Sequence, residues 1–197
     1  MFTGIIQSIG TLSGIDPRAG DQRLKIEAPE IDAARMALGD SVAVAGVCLT
    51  VVERTANGFV ADVSRETLAL TTIGQWPMGA RVNLEAALRA SDALGGHLVL
   101  GHIDGRAELL ERQVDARSQR LRFRAPDSLQ RYLARKGAVA IDGVSLTVNE
   151  VDGTDFSVNL VPYTLAVTTL PFLQPGARVN LEVDLMARYA ERLLEFK

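Results

Sequence analysis

Short apolar runs recur along this chain at close spacing, each bounded by Gly, Pro, Asn or Asp, which is the pattern of strands rather than of long helices. In the first half they are Ile5–Ile9, Leu24–Ala28, Ser41–Val44, Leu49–Val52, Phe59–Val63 and Arg81–Leu84. Asn57-Gly58 lies between two of them, and Asn-Gly supplies the positive φ angles of a tight hairpin turn. This spacing predicts an antiparallel barrel or sandwich, and closure into a barrel leaves no unpaired edge. Helical spacing appears inside the pattern at Ile31–Leu38 and Ser128–Arg135, each expected to plug or cap a barrel.

The pattern is written twice. GVCLTVVE at 46–53 matches GVSLTVNE at 143–150, and the offset of 97 holds without a gap from Gly4 against Gly101 to Leu88 against Leu185. TLALTT faces TLAVTT, GARVNLE faces GARVNLE, and Asp152-Gly153 punctuates the second copy where Asn57-Gly58 punctuates the first. About a third of the aligned positions are identical, far above chance for an ungapped register. The expected fold is therefore all-β, with two tandem homologous antiparallel Greek-key barrels carrying short helices, over residues 1–97 and 98–185. Residues 186–197 have no counterpart. There Met186, Tyr189, Leu193 and Phe196 step by three, four and three, placing them on one face of a C-terminal α-helix. That stripe can pack on its own barrel or serve self-association. The second use is favoured, because so short a helix is marginal alone.

Composition removes several functions. With 197 residues, a formal net charge of −3 and no run of Lys or Arg, the chain offers no footprint for nucleic acid or an anionic membrane. No basic leader precedes an apolar stretch and no run reaches a membrane span, so a cytoplasmic location is expected. Cys48 is the one cysteine and His97 and His102 are the two histidines, too few for a Cys/His structural zinc site.

Because the chain is duplicated, differences between the copies point to divided roles. Cys48 faces Ser145 at the head of the hairpin strand, Ile5 faces His102 in the run GGHLVLGHIDG, and Glu66 faces Tyr163. By itself Cys48 reads as a small buried residue and His102 as a structural imidazole. Either also fits chemistry: Cys48 and Ser145 as nucleophiles or hydrogen-bonding groups, His102 as a base.

The opening MFTGI, the GVCLTV and GVSLTV pair, SRETL, SDALGGHLVLGHIDG and KGAVAIDGVSLTVNEV together resemble the riboflavin synthases, the duplicated-barrel lumazine-binding family. The resemblance spans essentially the whole chain. It implies a transferase that dismutates two molecules of 6,7-dimethyl-8-ribityllumazine, one giving a four-carbon unit to the other, to yield riboflavin and 5-amino-6-ribitylaminouracil. It implies no cofactor or metal, a homotrimer in which the N-terminal barrel of one subunit meets the C-terminal barrel of its neighbour, and lumazine synthase as a candidate partner.

The resemblance also implies two pockets. One would be lined by Gly4, Ile5 and Ile6, by Cys48, Leu49 and Thr50, and by Asp62, Val63, Ser64, Arg65, Glu66 and Thr67. The other would be lined by Gly101, His102 and Ile103, by Ser145, Leu146 and Thr147, and by Asn159, Leu160, Val161, Pro162, Tyr163 and Thr164, with Lys136 reaching in from the facing side. Catalytic candidates are His102, Cys48, Ser145, Thr147, Phe2, Ser41 and Asp184. His102 is the natural base for the acidic 7-methyl group, Cys48 or Ser145 would supply or orient the nucleophile at ring carbon seven, and Tyr163 is given no catalytic role.

Overall fold

The computed structural model describes residues 1–29, 31 and 36–195. Its strands are β1 (Ser8–Arg18), β2 (Asp21–Glu27), β3 (Ser41–Val44), β4 (Val47–Thr55), β5 (Gly58–Val63) and β6 (Arg81–Ala86), then β7 (Gly105–Asp115), β8 (Ser118–Arg124), β9 (Ala138–Ile141), β10 (Val144–Asp152), β11 (Asp155–Leu160) and β12 (Arg178–Val183). The first six close a barrel in the order β1-β2-β5-β4-β3-β6, and the second six close another in the equivalent order β7-β8-β11-β10-β9-β12. Alternate side chains fill each interior, with Leu24, Ile26 and Phe59 buried in the first barrel. In the second, Phe123 and Phe156 stack at 5.7 Å between ring centroids. Bulges at Leu12/Gly14 and Val51/Glu53 return at Leu109/Glu111 and Val148/Glu150, so the duplication reaches the irregularities that bend the strands.

Among the described residues three α-helices accompany the barrels: α1 (Arg65–Leu70) after β5, α2 (Pro162–Val167) after β11 and α3 (Leu185–Leu194) after β12. The sequence pattern predicts neither α1 nor α2, because six residues are too few for a helical period to show. Their starts have local causes: Ser64 Oγ accepts from Thr67 N at 3.2 Å, and Pro162 stands in the first turn of α2. The helix expected over Ser128–Arg135 is a tighter 3-10 turn, Asp127–Tyr132, which buries Leu129 and leads to buried Leu133. Residues 32–35 of the helix expected over Ile31–Leu38, and Phe196, lie outside the described residues.

The barrels meet turn to turn. Ala45-Gly46 joins β3 to β4 and Asp142-Gly143 joins β9 to β10, all four residues at positive φ. A Cβ on Gly46 would stand 2.6 Å from Gly143 N, and one on Gly143 would stand 2.7 Å from Gly46 N, so only glycine allows this approach. Two buried asparagines flank it symmetrically. Asn83 Nδ2 donates to Asp142 O and its Oδ1 accepts from Thr169 N, while Asn180 Nδ2 donates to Ala45 O and its Oδ1 accepts from Thr72 N, all at 2.8–2.9 Å. Each asparagine therefore satisfies backbone groups of the opposite barrel. This is why Asn recurs within the repeated strand RVNLE.

Candidate functional site

The strand expected over Ile5–Ile9 begins only at Ser8, and the residues before it leave their own barrel. Ile6 is buried in the core of the second barrel, and Ile103, preceding β7, packs on the core of the first. Phe2 and Val99 pair as an antiparallel bridge where the two crossing segments pass. The segments that the resemblance places together are thus regrouped. Gly4 O accepts from Ser145 N at 2.8 Å, and Gly101 O accepts from Cys48 N at 2.9 Å. A repeat register shows that Gly4 and Gly101 are equivalent but not which barrel each one closes. The open end of a barrel is sealed by an isoleucine from the other half, and that exchange decides the grouping.

One cluster therefore contains Cys48, Leu49 and Thr50 on β4, Asp62 and Val63 on β5, the first turn of α1, and Gly101, His102 and Ile103. The other contains Ser145, Leu146 and Thr147 on β10, Asn159 and Leu160 on β11, the first turn of α2, and Gly4, Ile5 and Ile6. In both, the crossing glycine has positive φ, and a Cβ there would lie 2.6 Å from the Cβ of Cys48 or Ser145. Two carboxylates hold the crossing segments. Glu85 accepts from Thr3 N at 2.7 Å and Gly4 N at 2.9 Å, and its repeat equivalent Glu182 accepts from Leu100 N at 2.7 Å and Gly101 N at 2.9 Å. Burial raises the Glu182 carboxyl to about 7 against the pull of those amides, and raises Glu85 in the same direction.

The polar groups of the two clusters are not alike. Ser145 Oγ lies 2.7 Å from Nδ1 of His97, whose Nε2 is buried with no hydrogen-bond partner among the described residues. Burial lowers the His97 pKa, with the charge of Asp184 opposing, so the imidazole is neutral at neutral pH. A neutral imidazole bonded to a hydroxyl is the arrangement that activates a nucleophile or relays a proton. His102 is exposed. Asp62 forms a two-pronged ion pair with Arg23 at 2.7 and 2.9 Å, which holds its carboxyl below the usual range, whereas the buried Oδ1 of the equivalent Asn159 has no hydrogen-bond partner among the described residues.

Other candidates sit further out. Phe2 is fully buried between the barrels with Ala43, Val99 and Ala140. Ser41 lines an open cleft of about 470 Å³ with Gln7, Asp40 and Arg89, and Asp184 Oδ1 accepts from Met186 N as the cap of α3. Lys136 is exposed at the positive-φ turn before β9, the place Gly39 takes in the first half. Tyr163 is 70% exposed. Sequence reasoning missed His97, Glu85 and Glu182. The signal for the glutamates was present: RVNLE alternates Val and Leu with Asn and Glu, so a buried strand has a polar outer face that must meet something other than water. Among the described residues no three His, Cys, Asp or Glu side chains converge on a metal-binding arrangement, and no helix is long and apolar enough to cross a membrane.

The lumazine binding domain model matches the chain twice, over residues 3–87 and 100–184. Riboflavin synthase of Brucella abortus (strain 2308) is 44% identical over 202 residues, covering all of both chains. That of Photobacterium phosphoreum is 44% identical over 194 residues, 98% of this chain and 89% of the relative. The chain belongs to the riboflavin synthase family. As a member of that family it is a transferase that moves a four-carbon unit between two dimethyl-ribityllumazine molecules. Riboflavin synthase of Mycobacterium tuberculosis (strain H37Rv) is 42% identical over 98% of each chain. Among solved structures, LumP complexed with riboflavin superposes with a TM-score of 0.85 at 27% identity, over 93% of this chain and 99% of that one. LumP complexed with 6,7-dimethyl-8-(1'-D-ribityl)lumazine does so at 0.84 and 25%, over the same shares.

Proposed function

We propose that the Cys48 and Ser145 clusters are the two lumazine pockets of the riboflavin synthase reaction, one holding the donor and the other the acceptor. The observation that carries this is the exchange of segments. Each pocket is completed by the half of the chain that carries the other, so two similar pockets share one scaffold and differ in their polar groups. A dismutation of two identical molecules needs that combination. In one pocket a base takes a proton from the 7-methyl group, whose carbanion delocalises into the ring. In the other, a nucleophile or water adds at ring carbon seven. Ser145 with His97, and Cys48 with His102, are the pairs for these tasks. Holding the two rings in attack geometry supplies up to about 7–11 kcal/mol in favourable systems.

The active form in this reading is a cytoplasmic homotrimer in which pockets of neighbouring subunits face one another. Support comes from α3, which is tied to its own barrel by polar contacts: Arg131 Nη1 to Glu191 Oε1 at 2.8 Å, Tyr132 to Glu191, and Arg188 to Asp104. Its apolar residues Met186, Tyr189, Leu193 and Leu194 are 62–72% exposed. Such a stripe fits a second copy of the same helix. Association with lumazine synthase would concern the assembled oligomer.

The test uses the full chain and a chain ending at Leu185. The full chain should sediment as a trimer, bind two riboflavin or lumazine equivalents per chain by flavin fluorescence, and convert dimethyl-ribityllumazine to riboflavin. The shortened chain should keep both barrels and lose assembly and most turnover. A shortened chain that still sediments as a trimer overturns the assignment of α3. One equivalent per chain overturns the two-pocket reading, and a bound but unchanged chromophore would point to a carrier.

A further inference from the structure

Gln7 and Asp104 occupy equivalent positions, each just ahead of a barrel's first strand. Each caps the end of the strand that closes its barrel. Gln7 Oε1 accepts from Ala86 N at 3.0 Å, and Asp104 Oδ2 accepts from Val183 N at 2.7 Å. A neutral amide suffices for this in the first half. Asp104 instead brings a charge to a place where its side chain is 2% exposed, and a buried carboxylate is costly unless it is paired. Its Oδ1 meets the guanidinium of Arg188 on α3, in the tail that has no first-half counterpart. The charge at Asp104 and the helix that answers it therefore belong to the second half alone.

Asp104 is also the last fixed point of the segment that carries His102. Upstream, Leu100 N and Gly101 N donate to Glu182, and Gly101 O accepts from Cys48 N. Downstream, Asp104 N donates to Leu181 O at 2.9 Å. His102 lies between these anchors and lines a cleft of about 280 Å³ with Leu100, Glu182, Leu185, Arg188 and Tyr189. The helix that holds Asp104 is thus also the wall opposite the imidazole. Gly4 and Ile5 have the Glu85 clamp and the Gln7 cap, and among the described residues no helix follows β6 as α3 follows β12.

We propose that Asp104 and Arg188 are positioning residues, a latch through which the seating of α3 fixes the His102 segment and tunes the Cys48 pocket alone. The proposal rests on the reading of that pocket given above. Turnover then depends on where α3 sits as well as on whether it is present.

The latch is tested on the full chain with Arg188→Met, Arg188→Lys and Asp104→Asn, the last keeping an acceptor for Val183 N. Arg131→Met, which cuts the tether of α3 made through Glu191 and leaves Asp104 paired, is the comparison, and His102→Gln reports on the pocket. Arg188→Met and Asp104→Asn should lower kcat about tenfold with KM within about twofold, a loss confined to the reacting geometry. Both should speed amide exchange of residues 100–104 while exchange at residues 2–6 and the sedimentation coefficient stay unchanged. Arg188→Lys should restore most of kcat, and Arg131→Met should leave it intact. Unchanged kcat and exchange in Arg188→Met, with His102→Gln impaired, overturns the latch. So does a loss of kcat that appears only together with loss of assembly. Unimpaired His102→Gln overturns the pocket reading instead, and amide exchange then still judges the latch.

Discussion

The Cys48 and Ser145 clusters are built from equivalent segments and differ in what the rest of the chain brings to them. Strand, crossing glycine and clamping glutamate are the same in both. At Ser145 the linker adds His97, packed so closely that a Cβ on Gly96 would lie 2.9 Å from the serine Cβ. At Cys48 the crossing segment adds an exposed His102 with α3 behind it. Position 97 and the tail both fall outside the repeat. Duplication thus supplied two near-identical cradles, and the unduplicated pieces made them chemically distinct, which is what a reaction between two copies of one molecule requires.

Separating the halves breaks this comparison most severely. Residues 1–97 hold a complete set of six strands, yet the segment that closes their barrel, Gly101 to Ile103, belongs to the other half, and their own Ile6 has lost its site. Because Gly4 and Ile6 are the equivalents of Gly101 and Ile103, two copies can close each other. The fragment should therefore be a dimer that binds flavin, with turnover lowered at least about a hundredfold because neither His102 nor Ser145 is present. Sedimentation velocity and riboflavin absorbance measure both. A folded monomer would argue against segment exchange as the closing device, and turnover at the intact rate would mean the halves are interchangeable.

The duplication itself was legible in the chain, because an ungapped register of glycines, turns and β-branched strands leaves little freedom for the fold. Turn chemistry placed the hairpin at Asn57-Gly58, and β4 and β5 meet there. What the sequence could not reveal was exchange: Ile6 and Ile103 are both apolar residues after a glycine, and no local pattern says which barrel an isoleucine enters. For the same reason the pockets implied by the resemblance set Cys48 and His102 apart, whereas the bond from Cys48 N to Gly101 O brings their segments together. The contact of His97 with Ser145 spans 48 residues, which no local pattern shows.

A second asymmetry lies where the barrels meet, with Ala45 on one side and Asp142 on the other. Asp142 Oδ1 accepts from Asn180 N at 2.8 Å, but complete burial raises its carboxyl from 3.8 to about 7. Below about pH 4 the group is neutral in folded and unfolded chains alike. Between there and about 7 the folded protein keeps a proton that the unfolded chain releases, so stability falls as pH rises through that window and levels off above it. At about 1.4 kcal/mol per unit the full effect is about 4 kcal/mol as an upper bound. Asp142→Asn should flatten the dependence, losing less stability than the parent between pH 5 and pH 8 in denaturant titrations. Parallel curves would show that Asp142 is ionised across the range.

The smallest effect discriminates most finely between the two groupings of the pockets. Cys48→Ser makes the two hairpin heads alike, and His102→Gln removes an imidazole while roughly keeping its size, so each should slow kcat/KM about tenfold, or about 1.4 kcal/mol, without unfolding the chain. Residues that share a site are not additive, whereas residues in separate sites nearly are. Since Gly101 O is bonded to Cys48 N, His102 stands in the Cys48 cluster, and the double variant Cys48→Ser/His102→Gln should lose well under a hundredfold. His102→Gln combined with Ser145→Ala, reaching across the two clusters, should lose close to the product of its single effects. The cycle needs only steady-state rates and a melting curve for each protein. If His102 couples to Ser145 and not to Cys48, the exchange of crossing segments does not describe the reacting enzyme, and the grouping implied by the family resemblance stands in its place.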